Sequence, residues 1–217
     1  MSSPQTAAEG PDQRSWGYAE DFIEPGDSIA TSRQAASDLG VSPLSTGTAT
    51  ALRFLARAIS AKHVVEVGTG SGTSGLALFE GMVSDGILTS VDAEADRQDA
   101  ARKAFMAAGI ATSRFRLIAS LPLDVLPKLR DGAYDMVFIN GDKLEYVEYV
   151  AQALRLLRHG GMVVLNDALW DNKVADPENE DDEAVIIREA LGAILDTEEF
   201  TSALLPVGAG LLAAIKA

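Results

Sequence analysis

The sequence predicts a doubly wound α/β domain with a mostly parallel sheet, on three observations. Short continuous apolar runs alternate with amphipathic stretches, a glycine-dense turn follows the first run, and the chain closes on two apolar runs joined by Gly-Ala-Gly. Strands that are apolar throughout are buried on both faces, as they are when helices cover a parallel sheet from both sides.

Taken in order, residues 1–20 are small, polar and rich in Pro and Gly, and read as a flexible tail. Residues 21–60 form a helical extension with helices near 26–39 and 45–60, the second carrying Leu52, Leu55 and Ile59 at helical spacing. Residues 61–217 make the core. Its strands are expected at 63–67 (HVVEV), 87–92 (ILTSVD), 115–119 (FRLIA), 134–140 (YDMVFIN) and 161–166 (GMVVLN). Helices are expected between them at about 73–83, 94–108, 121–130, 143–158 and 183–196. Gly109 is placed to end the second of these helices, while Asp85-Gly86 and Asp131-Gly132 read as turns. The terminal FTSALLPV-GAG-LLAAIKA reads as an antiparallel hairpin at the sheet edge.

Composition narrows the function classes. A formal charge of −14 argues against nucleic acid or an anionic membrane as the main partner, because phosphate binding needs clustered Lys and Arg. Much of that charge is local, since DNKVADPENEDDE (171–183) holds seven acids and one Lys. The absence of cysteine excludes disulfides, thiol catalysis and Cys-ligated zinc. No apolar segment is long enough to span a bilayer or to serve as a secretory leader, so a cytoplasmic protein is expected. His63 and His159, the only histidines, are read as solvated structural residues.

In such sheets ligands bind outside the carboxyl ends of the strands. Here the first strand runs into VVEVGTGSGTSG, where Gly68, Gly70 and Gly72 permit a tight turn and close backbone approach. A dinucleotide fingerprint counted from Gly68 meets Thr73 where its third glycine belongs, the register Gly70, Gly72, Gly75 fits the spacing but starts two residues late, and no Gly-Lys-Ser/Thr follows for a phosphate loop. Glu66 precedes the glycines; a carboxylate there repels a pyrophosphate and suits a cofactor with cationic groups, such as S-adenosylmethionine. Asp92, ending the second strand, is placed to bind ribose hydroxyls or to cap the following helix, and the sequence leaves both roles open.

VVEVGTGSGTSG with Asp92, YDMVFINGDKLEYVEYV, GGMVVLNDALW and LLPVGAGLLAAIKA together resemble the class I methyltransferases. More narrowly, they resemble the small bacterial O-methyltransferases related to catechol and caffeoyl-CoA O-methyltransferases. The resemblance covers about residues 40–217. It implies a seven-stranded sheet, S-adenosyl-L-methionine as methyl donor, a small-molecule acceptor with a hydroxyl group, and a homodimer. By the same matching, Glu66, Gly68, Thr69, Gly70, Ser74 and Asp92 bind the cofactor, with Ser74 facing its carboxylate. Val41 and Ser42 lie over it, Ser120 and Leu121 lie near the adenine, and Asn140 and Asp142 border it.

One departure concerns metal. Members of that family usually carry D-A-D-K after the fourth strand and D-N after the fifth, and three of those residues hold a divalent cation. The matching residues here are Asn140, Asn166 and Asp167, with Lys143 retained. A hard cation such as Mg2+ is held through carboxylates and water, and losing one charge at contact distance removes about 4 kcal/mol at intermediate dielectric. The expected site is therefore degraded, binding Mg2+ weakly or not at all. Lys143 is the expected general base, while Asn140 and Trp170 are expected to contact a flat acceptor. The acidic run suggests neutral or cationic acceptors. Two rival readings stand beside this one: a cofactor-binding protein without catalysis, and an NAD-dependent oxidoreductase.

Overall fold

The apolar runs become β1 (His63–Val67), β2 (Ile87–Asp92), β3 (Phe115–Ala119), β4 (Tyr134–Ile139) and β5 (Leu157–Asn166) in the computed structural model, which describes residues 10–217. The terminal hairpin supplies β6 (Phe200–Leu205) and β7 (Leu211–Lys216). Together they form one seven-stranded sheet in the order β3-β2-β1-β4-β5-β7-β6. All neighbours pair in parallel except β7, which is antiparallel to both β5 and β6. The expected doubly wound architecture is therefore present.

Helices cover both faces. On one side lie α2 (Asp27–Asp38), α3 (Thr46–Ala58), α4 (Thr73–Gly81) and α5 (Ala95–Ala107), packed on Val64, Leu88, Phe138 and Val164. On the other, α7 (Tyr146–Leu156) and α8 (Asp182–Leu195) pack on Val65, Val67, Ile139 and Leu165. Alternation along β1 thus sends Val65 and Val67 to one core and Val64 to the other. It also sends Glu66 into the apolar face beneath α4, which bears on its chemistry.

Four local differences from the sequence reading have identifiable causes. Residues Gln13–Glu20 form a helix, α1, inside the segment read as a tail; the part of that reading on residues 1–9 lies outside the described residues. Its N-cap is Asp12, and Glu20 at its end accepts hydrogen bonds from the Gly47 and Gly208 backbone N–H groups at 2.7 and 3.1 Å. The helix expected over 121–130 is a single turn, α6 (Pro122–Val125), followed by a 3-10 turn, because Pro127 can neither donate to nor clear the preceding carbonyls. The helix expected from 143 starts at Tyr146, preceded by a 3-10 turn over Lys143–Glu145. Finally, β5 begins at Leu157 rather than 161: Leu157 pairs with Tyr134, and Gly160 at φ +73° absorbs the irregularity before Met162 resumes the ladder.

Candidate active site

Strand order reverses between β1 and β4, and there the two loops touch. Gly68 sits at φ +90°, and a Cβ at that position would lie 2.2 Å from the Asn140 carbonyl oxygen. Only glycine allows the two strand ends to approach this closely, which produces the crevice expected at a topological switch point. By contrast, a Cβ on Gly70 (φ +50°) would meet only Val41, at 3.9 Å, so that side of the loop is open.

Beneath the loop lies a closed polar network. The Glu66 carboxylate is fully buried and accepts hydrogen bonds from Ser74 Oγ and Ser90 Oγ, both at 2.5 Å. Desolvation raises its pKa to about 7, against the opposing pull of the two serine hydroxyls and with a further push from the Asp92 charge. Thr69 Oγ1 lies 2.6 Å from Ser90 Oγ and accepts from Gln98 Nε2 at 2.9 Å. Glu66, Thr69 and Ser74 therefore turn inward and border neither cavity described below. Ser74 gives its hydroxyl to Glu66 because a carboxylate in an apolar face needs donors.

Above the loop a cavity of about 380 Å³ is lined by Val41, Gly68, Gly70, Asp92, Leu121, Asn140 and Asp142, all expected at the cofactor. Ser120 does not line it; its N–H instead donates to the Asp92 carbonyl at 3.0 Å. Asp92 borders the cavity and braces the glycine loop, while the N-cap of α5 is Glu94. Asp92 Oδ2 accepts from the N–H groups of Thr69 and Gly70 at 2.9 and 3.2 Å, and Oδ1 accepts from that of Glu94, next to the start of α5, at 3.0 Å. Glu94, Arg97, Glu145 and Tyr149 complete much of the wall and were not evident from the sequence. The cue available for them was position alone: Glu94 and Arg97 open the helix after a ligand-binding strand, and Glu145 and Tyr149 follow the turn after β4. Four carboxylates (Asp92, Glu94, Asp142, Glu145) against one guanidinium make this cavity strongly anionic.

A second cavity, of about 470 Å³, shares Val41, Arg97 and Asn140 with the first and extends over Ser42, Lys143, Asn166, Asp167 and Trp170. Here the residues matching the metal-ligand set do converge. Asn166 Nδ2 donates to Asn140 Oδ1 at 2.9 Å and to Asp167 Oδ1 at 3.0 Å, while Lys143 Nζ lies 2.5 Å from Asp167 Oδ2. The Lys143 ammonium also sits 5.0 Å from the centre of the Trp170 ring and 5.6 Å from that of Tyr146. The Asn166 amide thus directs its N–H groups at both neighbouring oxygens. The set offers one carboxylate, paired with an ammonium, and two amides, whereas a hard divalent cation is usually held through carboxylates and water. Among the described residues no group of three or more His, Asp or Glu could hold a metal ion.

The backbone here is unusual. Asp167, Trp170, Asp171 and Asn172 all have positive φ, at 55°, 35°, 53° and 65°. Among the described residues no helix is long and apolar enough to cross a membrane.

The sequence profile of the O-methyltransferase family matches residues 28–217. A protein of Mycobacterium tuberculosis described as a probable O-methyltransferase is 41% identical over 201 residues, covering 93% of this chain and 90% of the relative. Among solved structures, a Corynebacterium glutamicum protein superposes with a TM-score of 0.85 at 32% identity, covering 92% of this chain and 94% of the other. The O-methyltransferase TomG of Streptomyces achromogenes, involved in tomaymycin synthesis and solved in complex with SAM, gives 0.84 at 24% identity, covering 95% and 99%. A Bacillus cereus O-methyltransferase in complex with SAH gives 0.83 at 23%, covering 93% and 96%. At these last two identities the likeness speaks for the fold.

Proposed function

Because the chain belongs to the O-methyltransferase family, we propose that the anionic cavity holds S-adenosylmethionine and that the second cavity presents a hydroxyl of a small aromatic acceptor to it, without a divalent metal. The observation that carries this reading is the charge of the first cavity. Four carboxylates around one guanidinium complement a ligand bearing a sulfonium and an ammonium, and they repel a dinucleotide pyrophosphate.

In this arrangement Val41, Gly68, Gly70, Asp92, Leu121, Asn140 and Asp142 contact the cofactor, with Asp92 facing the ribose. Glu66, Thr69 and Ser74 support the loop from beneath. When bound, the cofactor supplies an electrophilic methyl group whose carbon–sulfur bond breaks as the acceptor oxygen–carbon bond forms. The chain's part is positioning and proton handling. The acceptor hydroxyl lies against the Lys143–Asp167 pair, which takes its proton as the oxygen attacks. The Asn140 and Asn166 amides orient the acceptor by hydrogen bonds, and Trp170 forms an aromatic wall. Homodimerisation belongs to the same proposal, and the exposed aromatic rings of Trp16, Tyr18 and Phe22 on and after α1 offer apolar surface for it; light scattering after gel filtration measures it.

The deciding experiment is calorimetric titration of S-adenosylhomocysteine in magnesium buffer and in EDTA, followed by methyl transfer from labelled S-adenosylmethionine to hydroxylated aromatics in both. Binding and turnover unchanged by EDTA are expected. Binding of NADH in preference to S-adenosylhomocysteine would sink the cofactor assignment, and magnesium-dependent turnover would sink the metal-free mechanism.

A further inference from the structure

Of the three residues shared by the two cavities, Val41, Asn140 and Arg97, only the last is charged. Arg97 lies in the first turn of α5, just beyond Asp92. Among the described residues its side chain makes one polar contact, Nη1 to Asp92 Oδ1 at 3.4 Å. Charge-assisted pairs are usually about 2.7–2.9 Å, and a guanidinium has five N–H donors in a planar fork. Asp92 is already satisfied by three backbone N–H groups. Arg97 therefore holds most of its donors available at the boundary between the cofactor cavity and the acceptor cavity.

The remaining charges of the acceptor cavity are Lys143, Asp167 and Asp171. Lys143 is matched by Asp167 at 2.5 Å. Asp171 is exposed. The rest of the acidic run does not line the cavity. Asp181 pairs with Lys173 at 3.0 Å, and the carbonyls of Asp176 and Asn179 are held by Arg188. The run that suggested neutral or cationic acceptors thus closes on itself, and the uncommitted cation in the cavity is Arg97.

Resting on the reading of this cavity as the acceptor site, we propose that Arg97 is a specificity-determining residue that pairs with a carboxylate on the methyl acceptor. Its planar fork matches a carboxylate's two oxygens, as an ammonium cannot. Pairing there directs the hydroxyl end of a rigid aromatic acid toward Lys143. With no metal to chelate paired oxygens, this contact supplies the orientation that the amides alone cannot fix. A cationic cofactor on one side of Arg97 and an anionic acceptor on the other also reduce each other's burial penalty.

The test titrates protein saturated with S-adenosylhomocysteine with 3,4-dihydroxybenzoate and with its methyl ester, which keeps the ring and hydroxyls but loses the charge. In the wild-type protein the acid should bind roughly tenfold or more tighter than the ester, the scale of a hydrogen bond to a charged group. Arg97→Gln should abolish that preference, Arg97→Lys should keep part of it, and Arg97→Glu should turn it in favour of the ester. Because Arg97 also borders the cofactor cavity, each variant is first saturated with S-adenosylhomocysteine and the acid-to-ester ratio is the readout, while melting curves check that the variants fold. The proposal is overturned if the acid binds no tighter than the ester, if neither binds, or if the preference survives Arg97→Gln. It is equally overturned if Arg97→Gln weakens the cofactor and leaves the acid-to-ester ratio alone, since Arg97 would then only brace Asp92. Failure of S-adenosylhomocysteine to bind wild-type protein overturns the cofactor assignment and this proposal together, whereas cofactor binding without acid preference overturns this proposal alone.

Discussion

The two walls of the crevice are built by different physics. On the cofactor side, the loop after β1 is fixed by backbone. Gly68 is wedged against the Asn140 carbonyl, Asp92 takes the Thr69 and Gly70 N–H groups, and Glu66 anchors the underside through Ser74 and Ser90. On the acceptor side, four side chains (Asn140, Lys143, Asn166, Asp167) meet where β4 and β5 end, and the chain then passes through positive-φ residues at 167, 170, 171 and 172. The Trp170 indole nitrogen is buried there without a hydrogen-bond partner. Such backbone costs on the order of 1 kcal/mol or more per residue and persists only where its surroundings enforce it. The first wall tolerates little change because its geometry is the fold. The second can exchange a carboxylate for an amide and alter its chemistry while the sheet stays intact.

The sharpest way to break the contrast is Gly68→Ala. The added Cβ meets a backbone oxygen rather than a side chain that could move, and the left-handed φ adds strain of its own. A loss of about 4 kcal/mol is expected from overpacking and strain together, read by urea denaturation, with cofactor binding lost as well. Tolerance of alanine would mean that β1 and β4 can separate, and the switch-point geometry would need revision.

Next in size is Asp92→Asn. Its oxygens hold the loop N–H groups and are proposed to face the ribose, so one neutral substitution strikes both. S-adenosylhomocysteine affinity should fall about 100-fold, close to 3 kcal/mol for charge-assisted hydrogen bonds, while the protein stays folded. An unchanged affinity would remove Asp92 from the cofactor site.

Legibility in the sequence follows the same division. The strands read correctly because runs such as HVVEV and YDMVFIN are buried on both faces and need nothing from distant residues. Gly68 and Asp92 were legible because backbone geometry after a strand demands particular residue types. Side-chain direction was not: that Glu66 and Ser74 face each other beneath the loop follows from which face of β1 meets α4, a tertiary fact. Arg97 was invisible for a similar reason. Nothing in its local sequence marks one arginine on a charged helix as the one standing between two cavities. The early start of β5 depends on pairing with Tyr134 and on Gly160, which helical periodicity through 158 conceals.

On the acceptor wall, Asp167→Asn removes the only carboxylate of the four-residue cluster and leaves the Lys143 ammonium without its partner. If this pair takes the acceptor proton, kcat/KM should drop about 100-fold, in the range usual for general acid–base groups, with cofactor affinity nearly unchanged. Adding Mg2+ should rescue neither the variant nor, to any measurable degree, the wild-type protein. Rescue by metal in the wild type would show that the altered ligand set still coordinates a cation, and the two walls would be less different than their geometry indicates.

The smallest expected effect lies under the cofactor wall, at Glu66. Its folded-state pKa, raised by burial to about 7, exceeds the ordinary carboxyl value of 4.5. Between those two values the unfolded chain has released a proton that the folded chain retains. Unfolding is therefore favoured progressively as pH rises from about 4.5 to about 7, and the effect levels off above that. Stability from this group is fully present at the acidic end and is lost on the way up, opposite to the usual carboxylate in an ion pair. Glu66→Gln removes the titration while keeping a polar group for Ser74 and Ser90. Other ionising groups contribute equally to both proteins, so the difference between their unfolding free energies isolates Glu66. Relative to the wild type, the variant should gain on the order of 1–2 kcal/mol in urea denaturation between pH 5 and pH 7.5, below the roughly 3 kcal/mol ceiling set by the full shift. A flat difference across that range would mean that Glu66 is ionised throughout, and that the two serines offset its burial completely.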